Sequence, residues 1–162
     1  MASEDLMVRT ALGSWKQSVA QVDKTLASLS DDDLQREIAP GRNRIYYLLG
    51  HLTAVNDRLL PLLRLGDRLH PELDDAFITN PDRTIPKDPL EPSDLRSAWS
   101  AVNEKLLAAF EKLRPEEWLE RHEAVSAEDF AKEPLRNRLA VLLSRAQHTS
   151  LHEGQMRLVK PR

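Results

Sequence analysis

The chain has 162 residues, 41% of them hydrophobic and 30% charged, with a formal net charge of −3. That balance suits one soluble domain with a core of its own, and excludes a disordered chain or one dominated by membrane spans. There are no cysteines, so disulfides, thiolate metal sites and a cysteine nucleophile are excluded, and any metal must be held by His, Asp or Glu.

Only 5 glycines are present, with no GxGxxG or GxxxxGK run to cradle a phosphate. No basic run interleaved with aromatics marks a nucleic-acid surface. The N-terminal stretch MASEDLMVRT lacks the basic-then-apolar order of a signal peptide. A single domain over residues 1–162, in the cytoplasm and away from membranes, is the expectation.

The first segment carries Val8, Leu12, Trp15, Val19, Val22, Leu26 and Leu29. Those alternating threes and fours predict an amphipathic helix over about residues 5–29. Ser30 followed by Asp31, Asp32 and Asp33 predicts the cap and acidic first turn of a short helix. Pro40-Gly41 is a breaker.

A second long helix is predicted from Asn43, as its cap, to Leu65, with Gly66 ending it. Its stripe is Leu48, Leu52, Val55, Leu59 and Leu62, and Pro61 should kink or restart it. Residues 66–92 contain Pro71, Pro81, Pro86, Pro89 and Pro92 and little periodicity. A connection of that length reads as a crossover or lid.

Ser93-Asp94 should cap a third helix with Leu95, Trp99, Val102, Leu106, Ala109 and Leu113 on one face. Pro115 opens a helical turn ending at Trp118, and residues 121–133 read as loop or short turn. Pro134 is expected to open the fourth long helix, striped by Leu135, Leu139, Leu142 and Ala146. The whole reads as all-α: a four-helix bundle with one long crossover between helices two and three. Trp15, Trp99 and Trp118 are expected in its core.

The chemistry gathers in RAQHTSLHEGQ, residues 145–155, where His148 and His152 stand four apart on the last helix. Residues at i and i+4 share one face, and two imidazoles so placed can bind one metal ion. His51 lies on the flank of the second helix's stripe, as His148 and His152 do on the fourth, so the three can converge in a groove between the two. Asn56, Asp57 and Gln155 are candidate partners for these rings, with a plain surface role as the alternative for each. Tyr46 and Tyr47 can wall the groove or belong to the core. Glu153 points away from His152 and is expected in solvent. His70 and His122 fall in predicted loops and read as solvated, with a fourth ligand or proton carrier as the alternative. Arg136, Arg138, Arg145 and Arg157 read as a solvated face, with attraction of an anionic substrate by Arg145, one turn before His148, as the alternative.

With Gly50-His51-Leu52 and His148-x-x-x-His152-x-Gly154-Gln155 in view, the chain resembles the DinB-like (DinB/YfiT-like) family of metal-dependent hydrolases along essentially its whole length. The resemblance implies that His51, His148 and His152 are the protein ligands of one divalent metal, zinc or nickel in relatives. Some relatives are thiol-dependent transferases that use a low-molecular-weight thiol. The reading is therefore a metal-dependent hydrolase or thiol transferase acting on a small molecule. A non-catalytic metal-binding bundle for sensing or stress-associated binding is the alternative, and a structural dimer with incidental histidines a third. A homodimer is expected.

Overall fold

The computed structural model describes residues 3–162, and among these the chain is all-helical, with isolated bridges in place of strands. Four long helices dominate: α1 (Ser3–Ala27), α3 (Ile45–Asp57), α5 (Pro92–Phe110) and α8 (Arg138–Met156). Short helices α2 (Asp31–Leu34), α4 (Leu59–Leu62), α6 (Pro115–Trp118) and α7 (Ala127–Lys132) connect them. Packing runs α1 on α8, α8 on α3, and α3 on α5. The α3–α8 seam therefore lies between two other long helices.

Local chemistry sets most boundaries. The Ser30 hydroxyl accepts from the Asp33 N–H while the Asp33 carboxylate accepts from the Ser30 N–H, so two of the free donors of α2 are satisfied at once. Pro92 sits in the first turn of α5, where its missing N–H costs nothing.

The second long helix departs from expectation at both ends. It begins at Ile45, with Arg44 in the cap position and no side-chain cap, rather than at Asn43. It then breaks at Arg58 and resumes as α4. Pro61 is the cause, because it cannot donate to the carbonyl of Asp57 four residues back.

The last helix also starts later than Pro134 predicts. Asn137 is its cap, its side-chain oxygen accepting from the Ala140 N–H at 2.9 Å. Leu135 thus precedes the helix and is 74% exposed rather than part of the stripe, while Leu142 and Ala146 are buried as expected.

The core has two adjoining parts. At one end Trp15, Phe110 and Trp118 meet edge to face, with ring centroids 5.0 and 5.2 Å apart. Trp99, buried in the other part, donates its indole N–H to Asp23 at 2.7 Å. All three tryptophans are core residues, as expected.

The proline-rich stretch 66–92 is more ordered than its composition suggests. It carries a π-helical turn, Asp75–Thr79, and buries Leu73, Ala76 and Phe77. The Phe77 ring lies over Gly50 of α3, in the space that any Cβ there would occupy. Farther along, Arg44 clamps both Asp82 and Asp88. The hydroxyls of Tyr46 and Tyr47 donate to the carbonyls of Leu90 and Asn80 at 2.7 and 2.9 Å. The stretch is thus fastened along α3 beside His51. No helix among the described residues is long and apolar enough to cross a membrane.

Candidate metal centre

His51 comes from the middle of α3, and His148 and His152 from successive turns of α8. The seam brings them together. His148 Nε2 lies 3.2 Å from His51 Nε2 and 3.1 Å from His152 Nε2. These three side chains form a group able to hold a metal ion, each offering one ligand atom.

The other nitrogens decide the tautomers. His51 Nδ1 is 2.8 Å from the Phe77 carbonyl, and a carbonyl only accepts, so Nδ1 carries the proton. His152 Nδ1 likewise donates to the Gln155 side-chain oxygen at 2.7 Å. The Nε2 atoms of both rings are therefore bare lone pairs aimed at His148. A neutral His148 brings at most one proton for two acceptors, and its buried Nδ1 has no partner among the described residues. No protonation pattern of three neutral rings satisfies this arrangement.

A divalent cation answers the three Nε2 atoms, since it accepts all three lone pairs at once, and it assigns the His148 proton to Nδ1. With zinc–nitrogen distances of 2.0–2.1 Å, tetrahedral angles separate ligand nitrogens by about 3.3 Å, close to the spacing found here. The residues fit a metal.

Electrostatics keep His148 and His51 in the ligand form. Burial, reinforced by His152, His51 and Arg145, pushes His148 down from 6.5 to about 4. Burial also lowers His51, opposed by its hydrogen bond to Phe77 and aided by His152, Arg145 and Arg58. Neutral imidazole is the metal-binding species.

A sequence model of the DinB superfamily matches residues 14–156. The chain belongs to the DinB superfamily. No curated protein matches it.

Among the other residues singled out from the sequence, this DinB-superfamily chain brings some to the site and sends others elsewhere. Gln155 does touch a candidate ligand, His152. The Tyr47 ring stacks parallel to His51 with centroids 6.4 Å apart, while Tyr46 is core. Asn56 instead donates to Asn103 at 2.9 Å.

Asp57 is fully buried rather than a surface group. It pairs with Arg68 and accepts from the N–H groups of Leu69 and His70, which closes the turn after α4. Glu153 is only 5% exposed, against the expectation of a solvated carboxylate, because it accepts from Thr25 on α1. His70 lies beside Glu72, and neither it nor His122 joins the three-histidine group.

The residue missed from the sequence is Phe77. What it contributes to the centre is a backbone carbonyl, and no side-chain pattern announces that. The available signal was Gly50 next to His51, a gap on a helix face that something must fill.

Proposed function

We propose that this chain is a metal-dependent enzyme in which His51, His148 and His152 hold one divalent ion, zinc or nickel, with a position left open for a small-molecule substrate. The convergence of three Nε2 atoms, two of them fixed as lone pairs by their partners, carries the reading. An ion held by three nitrogens supplies a Lewis acid that lowers the pKa of a bound water or thiol.

The chain's own groups do the rest. The Phe77 carbonyl and the Gln155 side chain hold two rings in the ligand tautomer and raise their basicity. The Tyr47 ring shields His51 on one face. An opening lined by Ala39, Arg42, Asn43, His152 and Gln155 gives small molecules access.

Without cysteine, the chain needs an external low-molecular-weight thiol for transfer chemistry, and hydrolysis is the companion possibility. A second reading, a non-catalytic metal-binding module for sensing or stress-associated binding, draws on one observation. Among the described residues the ligand group contains no carboxylate to act as general base.

The same proposal takes residues 1–162 as one DinB-like domain, a four-helix bundle of α1, α3, α5 and α8 with 66–92 as the crossover. The observed packing pairs support it. Exposed Leu143 and Leu151 on α8 support a homodimer, and cytoplasmic residence with no nucleic-acid or membrane partner completes the reading.

The test is metal content by mass spectrometry on tag-free protein purified without chelators, beside His148→Ala. Near-stoichiometric zinc or nickel, lost in the variant, is the expected outcome. A wild type that stays metal-free after incubation with both ions overturns the reading. Assays of thiol transfer and hydrolysis on loaded protein then separate enzyme from binding module.

A further inference from the structure

A second recess opens on the α3–α8 seam one helical turn from the histidines. Its walls include Val55, four residues after His51, and Arg145, three residues before His148. On a helix those spacings put neighbours about 5–6 Å apart on one face. Arg58, Arg68 and Glu123 complete its polar lining, with Pro61 and Leu62 among its apolar contacts.

The charges in this recess are not equivalent. Arg58 and Arg68 both bind Asp74, and Arg68 also binds Asp57, so each is neutralised within the fold. Glu123 is mostly exposed and pairs with Arg64. Arg145 makes no ion pair and no hydrogen bond among the described residues, and its Nε is buried without a partner. Burial also lowers its pKa. Its charge lies close enough to act on both His51 and His148.

Other orphaned donors do not match it. The buried indole nitrogens of Trp15 and Trp118 are neutral, and Arg138, whose Nε is also unpartnered, still meets Glu120 and the Glu117 carbonyl. A guanidinium that is partly buried, its Nε sealed from water and no counter-charge beside it, costs stability. Such a group persists where something outside the fold completes it, and its rigid fork of donors matches a planar oxyanion.

We infer that Arg145 is the anchor for an oxyanion carried by the substrate, with the apolar wall of Val55, Pro61 and Leu62 against the carbon skeleton and the reacting end turned towards the three histidines. The substrate class is thus a small organic acid or phosphate ester rather than a neutral molecule. This assignment rests on the metal-centre reading, because the recess is a substrate subsite only if the histidines are the reacting centre.

The test follows binding of succinate, inorganic phosphate and neutral succinamide by calorimetry and by the Arg145 Nε–H signal in NMR. It uses metal-free and zinc-loaded wild type, Arg145→Met and Arg145→Lys. The metal-free arm removes anion binding to the ion itself, and zinc content is measured separately on every sample. The wild type should bind at least one dianion tenfold or more tightly than Arg145→Met in both forms and ignore succinamide, with Arg145→Lys in between.

Arg145→Met should take up zinc normally and melt at or above the wild-type temperature, since it removes an unpaired, partly buried charge. Succinate and phosphate tell a carboxylate site from a phosphate site. Equal anion binding by wild type and Arg145→Met, or an Arg145 signal that no anion moves, overturns the assignment. Failure of the wild type to take up either zinc or nickel overturns the metal reading instead, and with it the role of the recess as a substrate subsite.

Discussion

Two polar clusters, one buried at Asp57 and one half-buried at His148 and Arg145, are built on opposite plans. At Asp57 every charge has its answer: a guanidinium from Arg68, then two backbone N–H groups, all from the chain itself. At His148 and Arg145 the chain stops short among the described residues: the His148 Nε2 faces two bare lone pairs, and the Arg145 Nε has no partner. Buried polar groups are ordinarily satisfied, and each exception calls for a reason. A closed network serves the fold. An open one, at the seam between helices, is where a ligand belongs.

The largest effect expected from that contrast is on the closed side. Asp57→Ala leaves Arg68 short of one partner and two N–H groups uncompensated, and breaking a buried pair costs about 3–5 kcal/mol. Urea unfolding should show that loss, while zinc stoichiometry of the folded fraction stays unchanged. Metal loss without destabilisation would erase the distinction between the clusters.

On the open side, Gln155→Ala should behave the other way round. It removes the acceptor that fixes His152, and such partners are worth about 10–100-fold in metal affinity. Competition with a chromophoric chelator reads this directly, and the melting temperature of the metal-free variant should barely move.

The most gradual effect is a pH slope. His148 is held neutral in the folded chain down to about 4, against 6.5 when free, so between those values the unfolded chain binds more protons. Stability of the metal-free protein should therefore be fully present above 6.5 and fall as the pH drops towards 4, His51 adding in the same direction. Melts by circular dichroism should drop by about 2–4 °C for each kcal/mol lost. A flat profile would show that burial does not disfavour the charged rings.

The long helices and the three histidines were legible in the sequence because periodicity and spacing are properties of side chains. Val8, Trp15, Val22 and Leu26 of α1 all fall in the core that their spacing implies. What stayed hidden depends on tertiary neighbours. Glu153 reads as solvated on its own helix and is buried only because Thr25 of α1 meets it. Asp57 reads as a surface group because the turn it closes comes 11 to 13 residues later. Leu135 fits the helical stripe by spacing, yet the helix starts only after Asn137.

The close seat of Phe77 on Gly50 has a consequence for how the chain assembles. Gly50 is the only glycine of α3, so that helix offers a single notch deep enough for an aromatic ring. Stretch 66–92 can therefore settle along α3 in one alignment, as a locating pin settles a plate. A slip of one residue would leave Phe77 against a side chain and withdraw its carbonyl from His51. Glycine at this point indexes a proline-rich strap to the histidine it orients, and the same index sets how much the strap can lengthen before that carbonyl is lost.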